Sequence, residues 1–189
     1  MKKLISFVIL IVAIVLLFIL FNSIAKTTLV SQNKNMKIAS ISFQNNTKIP
    51  SKYACDGDNV NPPLEFADVP KDAKSLVLIV DDPDALDGTF VHWVVYNIDP
   101  KTKEILENSV PKSAVLGMTD FGKPGYGGPC PPASPRGEPS GVHRYFFKLY
   151  AVNKVLSLIS DAGKQAVEED MKDNILDNAE IIGLYSKKQ

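Results

Sequence analysis

The sequence predicts a mostly β domain that ends in a C-terminal helix. Three segments, residues 75–80, 90–98 and 143–151, are rich in β-branched and aromatic residues and are bounded by polar or turn-forming residues, as strands usually are. One segment near the C-terminus instead repeats its apolar residues every three or four positions, which is the period of a helix. Because the strand-like segments outnumber the helical one, we expect β-sheet to form the body of the domain.

The first element along the chain is an apolar segment at the N-terminus. Residues 4–21 contain no charged side chain and one hydroxyl group, that of Ser6. A helix of this length would extend about 27 Å, close to the thickness of the hydrocarbon core of a bilayer, so we predict a membrane anchor. A cleaved signal peptide is the alternative, because Ser23 and Ala25 supply the small residues that signal peptidase reads.

The charges beside this segment predict its orientation. Lys2 and Lys3 precede it, and no acidic residue occurs in residues 1–25. Positive residues that flank a membrane helix stay in the cytoplasm, so the domain is expected on the extracytoplasmic side, or secreted if the segment is cleaved. We therefore divide the chain into an anchor or signal peptide at 1–25, a polar tether at 26–37 and a single domain at 38–189.

The composition of the chain excludes nucleic acid as a partner. It contains 21 lysine and arginine residues against 21 aspartate and glutamate residues, and no basic stripe is visible. A nucleic-acid-binding protein needs clustered positive charge to neutralise several phosphates.

Candidate site residues lie at the end of the first predicted strand and within the second. Residues 75–80 deliver the chain to a turn with three carboxylates, Asp81-Asp82-Pro83-Asp84. In the strand at 90–98, alternation of side chains places His92 on an otherwise apolar face. The residues expected to share that face are Phe90, Val94 and Tyr96, whereas Val91, Trp93 and Val95 are expected on the other.

The third predicted strand carries the other histidine of the chain. Alternation places His143 on one face with Tyr145, Phe147 and Leu149, so that His143 and Tyr145 can reach one ligand together. His92 and His143 are the only histidines, and each follows a loop that is rich in special residues. Two imidazoles with carboxylates nearby predict a small polar pocket.

A long loop precedes His143. Residues 122–141 hold six of the 13 prolines and six of the 11 glycines of the chain, which excludes a helix or a central strand. Ordered loops of this length are usually functional. We expect the backbone N–H groups of Gly127 and Gly128 to converge on a bound anion.

The last predicted element is the C-terminal helix. Apolar residues recur at helical spacing from residue 167 to residue 182. They are Val167, Met171, Ile175, Ala179 and Ile182.

Four blocks carry a resemblance to a known family. In chain order they are 82–85 (Asp-Pro-Asp-Ala), 92–93 (His-Trp), 125–132 (Gly-Tyr-Gly-Gly-Pro-Cys-Pro-Pro) and 143–145 (His-Arg-Tyr). Their order and separations resemble the phosphatidylethanolamine-binding protein family, which includes the Raf kinase inhibitor-like proteins, and fit its bacterial and archaeal branch. Leu86 departs from the pattern, because a proline usually follows the first block.

The resemblance implies an antiparallel β-sandwich with a shallow anion pocket at one end. The residues that match the pocket of the family are Asp82, Asp84, His92, Gly128, Pro131, His143 and Tyr145. The expected function is non-enzymatic binding of phosphate-like anions or phosphorylated head groups, with no cofactor. Some relatives regulate kinases or inhibit proteases, so a kinase or protease partner is also expected. In such a pocket the carboxylates would orient and charge the histidines.

Two other classes of function stay open at this stage. Zinc bound by His92, His143 and Asp82, with one position left for water, would make a hydrolase. Their separation gives this alternative little support, since no metal-binding motif joins them. The other alternative is a protein-interaction module that displays the long loop and needs no ligand.

Cys55 and Cys130 are the only cysteines. An even number of cysteines in an exported domain permits a disulfide, and two buried free thiols are the alternative. Both cysteines lie in parts of the chain that resemble the family, near the implied pocket.

Overall fold

The structure is a computed structural model that describes residues 14–18, 35–132 and 141–187. The chain divides into two compact units, residues 1–33 and residues 34–189. In the first unit, residues 14–18 are helical. The second unit holds all the strands described below. The last residues of the predicted tether belong to this unit, since the N–H groups of Asn35 and Met36 both donate to Asp177 Oδ2 at 3.0 Å.

The predicted membrane anchor is corrected by this structure. Within the described residues, no helix is long and apolar enough to cross a bilayer. The extracytoplasmic or secreted location inferred from the anchor is corrected with it, and the rest of residues 1–25 lies outside the described residues.

The prediction of a mostly β fold is confirmed, with two sheets in the second unit. The three-stranded sheet has the order β1-β3-β6 and the six-stranded sheet the order β2-β9-β8-β4-β5-β7. All neighbours in them are antiparallel except β2 and β9. The strands are β1 (Lys37–Ala39), β2 (Thr47–Lys48), β3 (Leu64–Ala67), β4 (Ser75–Asp82), β5 (Phe90–Ile98), β6 (Glu104–Ile105), β7 (Val115–Leu116), β8 (His143–Val152) and β9 (Ile175–Tyr185).

The larger sheet is covered on both faces. On one face, residues of the small sheet such as Leu64 and Phe66 join a buried cluster with Leu78 of β4 and Phe147 of β8, which is the packing of a sandwich. On the other face, Val167 and Met171 of the C-terminal helix (Lys164–Met171) pack in a second cluster. The central strands are therefore buried on both sides, and β4 has no exposed residue.

The C-terminal helix exists but is shorter than the apolar spacing predicts. It ends at Met171, a 3-10 turn covers Lys172–Asn174, and Ile175, Ala179 and Ile182 lie on β9. This part of the predicted helix is wrong because β9 pairs with β8 along ten positions, and that pairing outweighs a helical spacing of apolar residues. The 3-10 helix Ser51–Tyr53 is the remaining short helical element of the described part of the second unit.

Candidate functional site

The three carboxylates at the end of β4 are directed to different partners. Asp81 is fully buried against the lysine ammonium groups of Lys148 and Lys164, at 2.9 and 2.5 Å. Asp82, the next residue, extends from the opposite face of the strand and accepts a hydrogen bond from His143. Asp84 lies beyond the strand and pairs with Arg144. Alternation along the strand therefore sends only Asp82 toward the predicted pocket.

Asp84 forms a bidentate ion pair with Arg144 and does not line the cavity. Arg144 Nε donates to Asp84 Oδ2 at 2.8 Å, and its Nη2 donates to Oδ1 at 2.7 Å. The Arg144 backbone N–H adds a third bond at 3.0 Å. These bonds lower the pKa of the Asp84 carboxyl to about 2. Asp84 therefore fixes the start of β8 to the turn after β4.

His143 is the first residue of β8 and is held by Asp82. Its Nδ1 lies 2.8 Å from Asp82 Oδ2, and the two side chains are 11% and 4% exposed. The other carboxylate oxygen of Asp82, Oδ1, accepts the Asp84 N–H at 2.8 Å, which fixes the carboxylate plane. An ionised carboxylate accepts but does not donate, so Nδ1 of His143 carries a proton and Nε2 is the ring nitrogen left for a ligand.

A β-bulge places His92 in the site. Val80 of β4 pairs with Trp93 of β5, but the next residue, Asp81, pairs with Val91, so His92 is the extra residue. Bulges redirect side chains next to functional sites. The predicted face is therefore wrong for His92: Val94 and Tyr96 pack with the helix, whereas the His92 ring packs on Tyr145, with ring centroids 5.1 Å apart.

The His92 ring is anchored by the glycine-rich loop. Its Nδ1 lies 2.7 Å from the carbonyl oxygen of Gly127, and the Gly127 N–H donates back to the His92 carbonyl at 3.0 Å. Burial is the main cause that lowers the pKa of His92 below its ordinary value. His92 is thus held in the neutral form with Nδ1 protonated.

The glycine amides are engaged within the protein. The Gly127 N–H bonds to His92, and the Gly128 N–H donates to Asn59 Oδ1 at 2.7 Å. Neither N–H group is directed at a ligand, in contrast to the sequence expectation. The need for glycine at position 128 is steric, since a Cβ there would lie 2.1 Å from the Tyr53 carbonyl oxygen.

Tyr145 lies beneath the site and is completely buried. Its hydroxyl lies beside Asp82 and the Cys130 amide but makes no hydrogen bond to a described residue. Burial, followed by the negative charge of Asp82, raises the pKa of the phenol above its usual range. Tyr145 therefore stays protonated, and the His92 ring packs against this uncharged side chain.

An open cavity of about 440 Å³ joins these residues. Asp82, His92, Pro131 and His143, all predicted from the sequence, line it. Asp84, Gly127, Gly128 and Tyr145 do not, and they support the lining residues from behind. Sequence reasoning missed the loop at 85–89, Phe90, Asp120 and Phe121, which complete the walls.

Asp120 and Phe121 reach the cavity through contacts that no local motif reveals. Asp120 Oδ2 accepts the Val91 N–H at 2.7 Å, and the Asp120 N–H donates to the Val91 carbonyl at 3.1 Å, which ties this residue to β5. The Phe121 ring then packs on His92 and Phe90, with centroids 5.3 and 4.9 Å apart.

A disulfide closes the remaining side of the cavity. Cys55 and Cys130 are bonded, with Cα atoms 5.4 Å apart, and Cys130 lines the cavity. The Cys55 N–H also donates to the Pro129 carbonyl at 3.0 Å. In the described residues, no group of three or more histidine, cysteine, aspartate or glutamate side chains is arranged to hold a metal ion.

Comparison with known proteins identifies the family. The model of the phosphatidylethanolamine-binding protein family matches residues 39–186, which include every residue of this site and all strands apart from the first two residues of β1. The chain belongs to the phosphatidylethanolamine-binding protein family. This confirms the resemblance seen in the four sequence blocks.

Relatives and solved structures agree with this assignment. A UPF0098 protein of Methanothermobacter thermautotrophicus is 45% identical over 157 residues, which cover 80% of this chain and 99% of the relative. A UPF0098 protein of Aquifex aeolicus is 48% identical, covering 80% and 89%.

Among solved structures, a phosphatidylethanolamine-binding protein homologue from Chlamydia trachomatis has a TM-score of 0.75 at 40% identity, covering 82% of this chain and all of its own. E. coli YbcL has a TM-score of 0.73 at 27% identity, covering 81% of this chain and 99% of its own. Membership of this family supports a binding protein rather than an enzyme.

Proposed function

We propose that this family member binds phosphate-like anions or phosphorylated small molecules in the cavity between His92 and His143. One observation carries the proposal. Both histidines use Nδ1 to bond the protein, to Gly127 O and Asp82 Oδ2, so both present Nε2 as the nitrogen available to a ligand. Two fixed imidazole edges beside a cavity of this size suit a small polar group.

The charges around the cavity indicate how an anion is accommodated. Asp82 is paired with His143, so a protonated imidazolium at His143 is balanced by one carboxylate. The Nε2–H of that imidazolium can then donate a charge-assisted hydrogen bond to an anionic oxygen. Regulation of a kinase or a protease, a role of some relatives in this family, stays a prediction for this chain.

An NMR titration of the full-length protein with inorganic phosphate tests the proposal. We expect saturable shifts at about millimolar concentration for the imidazoles of His92 and His143 and for amides at 85–90 and 120–121. The His143→Gln variant is expected to weaken binding, because a glutamine cannot carry a positive charge. No saturable shifts at about 10 mM phosphate, or shifts spread over the whole surface, would contradict the proposed function.

A further inference from the structure

The hydrogen-bonding capacity of His92 is set by its position in the bulge. A carbonyl oxygen only accepts hydrogen bonds, so the contact between His92 Nδ1 and Gly127 O requires the proton to sit on Nδ1. The neutral ring then has a lone pair on Nε2. His92 therefore offers the cavity an acceptor, whereas His143 offers a donor whenever its Nε2 also carries a proton.

The packing around His92 favours this acceptor state, because the side chain is 3% exposed and lies among the rings of Phe90, Phe121 and Tyr145, and burial disfavours the charged ring. The carboxylates of Asp82 and Asp120 act in the opposite direction and raise the pKa of His92, but burial is the larger effect. Asp87 adds a third carboxylate to the cavity wall, and no lysine or arginine of the described residues lines it. Acceptors thus outnumber charged donors in the cavity.

An anion without a proton of its own is expected to bind weakly in this cavity. One of its oxygens would bond to His143 Nε2–H, but another would place its lone pairs against the lone pair of His92 Nε2. A phosphomonoester monoanion avoids this conflict, because its P–OH group donates to His92 while a charged oxygen accepts from His143.

We propose that the cavity selects anions that carry a donatable proton, so that it prefers phosphomonoesters over sulfate esters and phosphodiesters of the same charge. This inference rests on the proposed anion-binding function and names its ligand class. His92 is its specificity-determining residue. The head group of a diacyl phospholipid is a phosphodiester, so a free phosphorylated small molecule is the preferred source of the bound group.

Matched ligands test the selectivity on the full-length protein. Methyl phosphate, methyl sulfate and dimethyl phosphate all carry about one negative charge at about pH 5.5, but only methyl phosphate has a proton to donate. From NMR titrations we expect methyl phosphate to bind at least about tenfold more tightly than the other two. Raising the pH through about 6 should weaken methyl phosphate binding as its monoanion is lost.

A second pair of ligands distinguishes the two sources of a phosphoryl group. Phosphoethanolamine is a monoester, and glycerophosphoethanolamine is the diester found in the lipid head group. We expect the monoester to bind more tightly by a similar factor. Equal affinities in both comparisons would overturn the inference and leave the proposed function standing, whereas no binding of any of the five ligands would overturn both.

The variant His92→Gln assigns the selectivity to this residue. A glutamine amide offers N–H donors in addition to its oxygen, so the ratio of methyl phosphate to methyl sulfate affinity should fall toward one. A ratio unchanged in a folded variant would overturn the role of His92. If the variant does not fold, the ligand comparison on the unmodified protein still decides the inference.

Discussion

Asp82 and Asp84 show how far two neighbouring carboxylates can differ in role. Both belong to the block that resembles the family, and the sequence predicts both as ligand-binding residues. In the structure Asp82 is 3% exposed and holds His143 in the cavity wall, whereas Asp84 forms the pair with Arg144 outside it. The two residues therefore form a matched pair of substitutions for the site.

The prediction at this position concerns the variants Asp82→Asn and Asp84→Asn. We expect Asp82→Asn to weaken phosphate binding about tenfold, because His143 loses the carboxylate that holds its ring in place through Nδ1. Asp84→Asn should change binding by less than about twofold. Isothermal titration calorimetry measures both affinities. Equal losses in the two variants would show that Asp84 acts on the ligand as directly as Asp82 does.

Acid stability separates the same two variants further. The pKa of Asp84 is lowered to about 2 by Arg144, so its pair stabilises the fold above the ordinary aspartate pKa. This contribution is lost as the pH falls toward 2. It should be missing from Asp84→Asn when unfolding is compared between pH 5 and pH 2 by circular dichroism.

His92 gives a second prediction at the residue scale. Its pKa is lowered from 6.5, chiefly by burial, so the neutral ring stabilises the fold above pH 6.5 and this contribution is lost as the pH falls below that value. In a histidine-detected NMR titration of the ligand-free protein, the His92 resonance should titrate below pH 6.5. His92→Gln assigns the resonance by removing it. Titration at or above pH 6.5 would contradict both the burial and the acceptor role of this ring.

At the element scale, the glycine-rich loop is held by its backbone. The Gly127 amide bonds to His92, the Gly128 amide bonds to Asn59, and the Tyr126 hydroxyl donates to the Tyr53 carbonyl at 2.9 Å. These bonds keep the loop close to residues 53–59. The sequence indicates a special loop here but assigns its amides to the wrong partner.

A glycine substitution tests the close approach of this loop. In Gly128→Ala the new Cβ would lie 2.1 Å from the Tyr53 carbonyl oxygen and 2.9 Å from Ala54 Cα, both backbone atoms. We expect a loss of about 1–3 kcal/mol in the free energy of unfolding, measured by urea denaturation. Gly141→Ala is the control, because no atom of the described residues, apart from the chain neighbours, lies within 4 Å of a Cβ at that position. Equal stability of the two variants would mean that the loop can shift at no cost.

At the scale of the whole molecule, the disulfide joins two distant parts of the chain at the cavity. Cys55 and Cys130 are 75 residues apart in sequence. The residues before Cys130 are held by hydrogen bonds to Asn59, His92 and Cys55. Pro131 and Pro132 follow Cys130 on the cavity wall. We therefore expect the disulfide to matter most for the segment 130–132.

Removal of the disulfide should lower the stability of the fold and loosen the segment 130–132. In the Cys55→Ser, Cys130→Ser double variant, the chain-entropy model gives a loss of about 4 kcal/mol in the free energy of unfolding. Amide exchange should increase near residues 130–132, while Gly127 and Gly128 remain protected. Alkylation without reductant, followed by mass spectrometry, establishes the bond in the parent protein. Full alkylation of both thiols in that experiment would contradict the bond.

The sequence by itself determined three of the nine strands in the described residues, the family and part of the site. Local composition is sufficient to locate β4, β5 and β8, because their runs of β-branched and aromatic residues suit a sheet that is buried on both faces. Alternation correctly places His143, Tyr145, Phe147 and Leu149 on one face of β8, where the last three join one buried cluster. It fails at His92, where a bulge adds a residue against β4.

Only the tertiary structure decided which polar groups face the cavity and how the C-terminal segment folds. The pairing of Asp84 with Arg144, the arrival of Asp120 and Phe121 beside His92, and the conversion of Ile175–Tyr185 into β9 all depend on partners distant in sequence. Hydrogen bonds of buried groups are satisfied by whichever partner the fold brings near. Local sequence specifies a residue's chemistry, but its partner, and hence its role, is fixed only when the sheets are assembled.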